Sequence, residues 1–139
     1  MRLHRNAKVD LIAHVPLFER CSKKELEAIA GLADQVERDE GRVLVREGEL
    51  GREFWVLVDG VAEVSRDGET VATLGAGDFF GEIALVSNVP RTASVTAATP
   101  LIGLVISSRD FWTLLDESPS TQRTILETVG DRLARHDDS

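Results

Sequence analysis

Residues Gly75–Val95 read GAGDFFGEIALVSNVPRTASV, a turn-rich segment that carries the acid Glu82 and, nine positions later, its one base, Arg91. Gly81 precedes Glu82-Ile83-Ala84-Leu85 and reads as the entry into one short helical turn. The missing Cβ lets another backbone or a ligand come close, and the first N–H groups of the turn lack intrahelical partners. Such a turn is a ready site for an anion. Pro90 has no N–H and biases Val89 towards an extended conformation, so the segment returns as a loop and not as a longer helix. Acid and base then face one pocket. An arginine fork matches phosphate oxygens, whereas a carboxylate accepts hydrogen bonds from a sugar hydroxyl and repels a phosphate. The pair suits a ligand having both groups. The alternative, for a Glu and an Arg taken alone, is an internal ion pair bracing a β-hairpin.

Phe80-Gly-Glu-Ile-Ala-Leu85, a short loop and Pro90-Arg-Thr-Ala-Ser-Val95 together resemble the phosphate-binding cassette of the cyclic nucleotide-binding domain family. Similar segments occur in the regulatory subunits of cyclic-nucleotide-dependent kinases, the catabolite activator group and cyclic-nucleotide-gated channels. The resemblance implies that Glu82 binds the ribose 2′-hydroxyl and Arg91 the cyclic phosphate. The backbone at Gly81, Ile83, Ala84, Thr92 and Ala93 would take the remaining polar atoms, with the Thr92 hydroxyl as a further contact. It implies cAMP as the ligand, with cGMP second; Thr92 leaves both open, because cassettes with threonine after the arginine resemble both cGMP-selective and cAMP-responsive members. Glu127-Thr128-Val129 and Asp131-Arg132-Leu133 are similar to a channel segment whose arginine approaches the purine, so Arg132 is the expected lid contact over the base, with His136 one turn on.

The chain has 139 residues, 42% of them hydrophobic, enough for a single domain, 1–139, around one core. A net charge of −8 argues against a nucleic-acid surface, which needs clustered Lys and Arg. It also makes long-range steering of an anionic ligand unfavourable, so affinity must come from local groups such as Arg91. No apolar run is long enough to cross a bilayer and MRLHRNAKVD does not read as a signal peptide, so the expected location is the cytoplasm. One cysteine, Cys21, offers neither an intramolecular disulfide nor a metal framework, and reads as a buried thiol.

Either side of the cassette the chain has three parts. In 1–34, Val9–Val15 reads as a short helix ended by Pro16, and Ser22-Lys-Lys-Glu25 has capping-box spacing ahead of Leu26, Ile29, Ala30 and Ala33. In 35–106, β-branched runs separated by Glu40-Gly41, Glu47-Gly48, Asp59-Gly60 and Asp67-Gly68 mark a mainly β fold with flanking helices. An antiparallel, jelly-roll-like β-roll of about eight strands is expected. Phe54, Val56 and Val58 share one strand face and Trp55 and Leu57 the other, so this strand should be covered twice. In 107–136, Ser107 and then Ser118-Pro119 open two C-terminal helices.

Other chemistries lack anchors. Gly75 to Gly81 misses G-x-G-x-x-G by one residue and sits in a β context, His4, His14 and His136 are scattered, and there is no G-x-S-x-G. The expectation is a stand-alone sensor, not an enzyme, that binds cAMP or cGMP reversibly, uses no cofactor or metal, and signals to an effector protein through its C-terminal helices. Membrane insertion and nucleic-acid binding are not expected. A structural interaction domain with a vestigial cassette is the alternative.

Overall fold

The computed structural model describes residues 3–137, with side chains through residue 131. The chain divides into two compact units, a helical one (Met1–Leu32 and Asp110–Ser139) and a β one (Ala33–Arg109).

The helical unit contains α1 (Arg5–Ile12), a 3-10 turn (Pro16–Phe18), α2 (Lys23–Ala30) and α4 (Pro119–Asp137), with most of α3 (Ser108–Glu117). The sequence places the first helix at Val9–Val15, but it starts four residues earlier and ends three residues earlier. It ends at Ile12, with Ala13 still in the right-handed helical region as its C-cap, and Val15, the residue before Pro16, is extended at φ −77° and ψ 123°. The capping box of α2 forms as spaced: the Ser22 N–H donates to Glu25 Oε1 (2.9 Å) and the Glu25 N–H to Ser22 Oγ (3.2 Å). Phe18 packs on Phe111 with ring centroids 6.0 Å apart, and both are buried.

The β unit holds eight antiparallel strands in two four-stranded sheets, so the fold is mainly β with flanking helices. One sheet has the order β1 (Asp34–Arg38), β8 (Leu101–Ser107), β3 (Glu53–Asp59), β6 (Phe79–Phe80). The other runs β2 (Val43–Val45), β7 (Ser94–Ala97), β4 (Ala62–Arg66), β5 (Glu69–Leu74). Apart from the β4–β5 hairpin, sequential strands alternate between the sheets, which is the jelly-roll-like pattern that closes the edges of short strands. Trp55, Leu57, Ala62, Val95 and Leu101 form the core of the unit, joined by the half-buried Val64 and Phe80. On the opposite face of β3, Phe54 and Val56 are equally buried, so the strand is covered on both faces. β6 has only two residues, too few to show as an apolar run, yet it pairs Trp55 with Phe80 and delivers the chain to Gly81.

Candidate functional site

Phe80 stacks on Trp55 at 5.9 Å and an interplanar angle of 9°, which fixes where the chain leaves the sheet. Gly81 then takes φ 84° and ψ 16°, a left-handed conformation that costs a Cβ-bearing residue about 1–2 kcal/mol. Glu82–Leu85 makes one short 3-10 turn, burying Ala84 and Leu85 while Ile83 stays exposed. The loop returns at Pro90, which bridges to Leu50. Two backbone hydrogen bonds lock Arg91: its N–H donates to the Glu49 carbonyl and its own carbonyl accepts from the Gly48 N–H, both at 2.8 Å.

The Arg91 side chain is half-buried and threaded between two glycines. Arg91 Nη2 donates to the backbone carbonyl of Glu53. A Cβ at Gly81 would lie 2.8 Å from that carbonyl oxygen and would strike Arg91 Nη1; one at Gly51 would lie 2.6 Å from Arg91 Cζ. Glycine at both positions is therefore what makes room for the guanidinium. Burial lowers the pKa of Arg91 and the Glu53 and Glu82 carboxylates oppose that shift. Its Nε–H is buried and has no acceptor among the described residues. A buried charged donor without a partner is costly, and an anion in reach relieves it.

Arg91 borders a cavity of about 350 Å³. Glu82 and Arg91 line it together with the cassette residues Gly81, Ile83 and Ala84 on one side and Thr92 and Ala93 on the other. All seven cassette positions singled out in the sequence converge on this one space. Val45, Val64 and Val95 add an apolar wall. The arrangement offers a carboxylate for a hydroxyl, a guanidinium for an anion and aliphatic surface for the face of a ring, the mixture expected of a small-molecule site.

Residues 35–118 match the family model described as the cyclic nucleotide-binding domain. The chain belongs to the cyclic nucleotide-binding domain family. It is 38% identical over 123 residues to a cyclic nucleotide-gated potassium channel of Rhizobium etli, covering 88% of this chain and 34% of the channel. It is 39% identical over 127 residues to a cAMP-dependent protein kinase regulatory subunit of Mycosarcoma maydis, covering 84% of this chain and 24% of that protein. The chain thus spans about a third or less of these curated relatives. Among solved structures, the N-terminal domain of a transcriptional regulator from Streptomyces coelicolor A3(2) superposes with a TM-score of 0.85 at 25% identity, covering 94% of this chain and 96% of that one. The family is one of regulatory domains, not of catalytic ones.

Arg66 is a feature of this cyclic nucleotide-binding domain that its linear sequence hides. Its Nε donates to the Thr92 carbonyl (3.1 Å), and the side chain lines the cavity, placing a second cation beside Arg91. Arg66 lies 25 positions before Arg91, and only the pairing of β4 with β7, Ser65 opposite Ser94, brings them together. The candidate lid residues Arg132 and His136 lie outside the residues whose side chains are described. No group of three or more His, Cys, Asp or Glu among the described residues is placed to hold a metal, and no described helix is long and apolar enough to cross a membrane.

Proposed function

We propose that the chain is a cyclic nucleotide sensor that binds cAMP, with cGMP second, at the Gly81–Ala93 cassette. The observation that carries this reading is that Glu82 and Arg91 line one cavity of about 350 Å³ together with Gly81, Ile83, Ala84, Thr92 and Ala93. In this assignment the cyclic phosphate takes the Arg91 fork and the ribose 2′-hydroxyl donates to Glu82. The amides around Ile83, Ala84 and Ala93 and the Thr92 hydroxyl receive the remaining oxygens. Binding is reversible, with no bond made or broken. The choice of cAMP draws support from the likeness to the cAMP-dependent protein kinase regulatory subunit of Mycosarcoma maydis.

Occupancy is signalled by movement of α3 and α4, with Arg132 as the contact to the base and an effector protein reading the altered surface. A cation on the base would add about 0.5–2 kcal/mol, enough to tune affinity and base choice but not to create binding. Calorimetric titration with cAMP, cGMP and 5′-AMP tests the reading. Saturable binding of the cyclic nucleotides with cAMP tighter, and weak binding of 5′-AMP, is expected. Absence of binding to either cyclic nucleotide would overturn it.

A further inference from the structure

A second cavity of about 450 Å³ in the β unit shares Arg91 and Val45 with the cassette cavity and is otherwise lined by different residues, from the Arg46–Glu53 loop and Ser107–Arg109. The unit 33–109 is acidic, with thirteen Asp and Glu against seven arginines and no lysine. Four of those seven arginines, Arg46, Arg52, Arg91 and Arg109, line this one cavity, against two carboxylates, Glu49 and Glu53. Like charges brought together repel unless an opposite charge sits among them. Neither the Arg46 nor the Arg52 guanidinium makes a hydrogen bond or ion pair with another described residue.

We propose that this cavity is a second ligand site, for a small phosphate-bearing molecule. Arginines from the loop between β2 and β3 (Arg46, Arg52), the cassette loop (Arg91) and the first turn of α3 (Arg109) line one space and match tetrahedral oxygens, and Glu49 and Glu53 can accept from hydroxyl groups on the same molecule while repelling its phosphate towards the arginines. The site is coupled to the cassette through Arg91, which borders both cavities. A phosphate that draws the Arg91 guanidinium into the second cavity withdraws it from the first, so each ligand weakens the other by the same factor. This coupling, unlike the second site itself, rests on the cyclic nucleotide reading.

Inorganic pyrophosphate is the probe. Titrated calorimetrically into the full chain at matched ionic strength, it is expected to bind the parent and to bind Arg52→Ala/Arg109→Ala about tenfold more weakly or worse, the sum of two lost charge contacts. Saturating pyrophosphate is expected to weaken cAMP binding by about fivefold or more in the parent and by less than twofold in the double variant, whose cAMP affinity alone is unchanged. Circular dichroism checks that the variant is folded, and Arg46→Ala/Arg52→Ala replaces it if it is not. No pyrophosphate binding, or equal binding by parent and variant, overturns the proposal. Inhibition of cAMP binding that persists undiminished in the variant also overturns it, because pyrophosphate is then competing at the cassette. Should cAMP itself fail to bind, the cassette reading falls while the pyrophosphate titrations still decide the second site.

Discussion

Replacing Gly81 by alanine separates the backbone's demands from those of Arg91. Gly81 has φ +84° and Gly77 has φ +88°, so alanine at either position pays the same left-handed penalty, about 1–2 kcal/mol. The surroundings differ. A Cβ at Gly77 meets nothing within 4 Å, whereas one at Gly81 lies 2.8 Å from the Glu53 carbonyl oxygen, 3.1 Å from Arg91 Cζ and in collision with Nη1. The guanidinium must leave the Glu53 carbonyl, and the backbone oxygen cannot follow a flexible side chain out of the way. Breaking that charge-assisted hydrogen bond adds about 1.5–3 kcal/mol. Gly81→Ala should therefore cost about 3–5 kcal/mol in urea unfolding and Gly77→Ala about 1–2 kcal/mol. Under conditions where both variants are folded, cAMP affinity should fall at least about tenfold in Gly81→Ala and less than threefold in Gly77→Ala. Equal losses of stability and of affinity in the two variants would refute the view that Gly81 exists to make room for Arg91.

Three further outcomes follow from other contacts. Glu82→Ala should weaken cAMP binding and shrink the preference for cAMP over 2′-deoxy-cAMP towards unity; an unchanged ratio in calorimetry would acquit Glu82 of the ribose. Partial burial disfavours the Glu25 carboxylate, but hydrogen bonds from the Ser22 N–H and the Ser120, Ser22 and Thr124 hydroxyls outweigh it and hold its pKa below the ordinary carboxylate value. A depressed pKa gives stability that is present above the unfolded value and lost as pH falls through the folded one. The stability gap between parent and Glu25→Gln, read by thermal unfolding, should accordingly be full at neutral pH and close below about pH 4.5. Burial, reinforced by the Glu25 charge, pushes the Cys21 thiol up to about 12. Iodoacetamide at pH 8 should alkylate it about a hundredfold more slowly than free cysteine, and a free-cysteine rate would contradict the packing of that loop.

Much of this molecule is legible along the chain because its signals are local. Gly-containing turns bound β2, β3, β4 and β5, and the Ser22–Glu25 capping box appears at its spacing because its two partners lie within one helical turn of each other. The cassette is legible for the same reason, since Gly81 to Ala93 is one continuous segment that folds around its own cavity. What escapes is whatever strand pairing brings in from afar. Arg66 meets Thr92 through the β4–β7 ladder, and Gly51 and Glu53 grip Arg91 through a loop 38 or more residues upstream. β6 escapes because two phenylalanines carry no alternation. The first helix starts at Arg5, ahead of its apolar residues Val9, Leu11 and Ile12, so the apolar pattern marks only its second half.

The central claim is that Arg91 holds the phosphate of a cyclic nucleotide, and calorimetric titration of cAMP into the parent and Arg91→Ala tests it most directly. Removing one partner of a buried charge pair costs about 2–5 kcal/mol, so affinity should fall by about 30-fold to several-thousand-fold while the unfolding transition stays cooperative. A parent that binds cAMP and an Arg91→Ala variant that binds it equally tightly would contradict the account and place the ligand elsewhere.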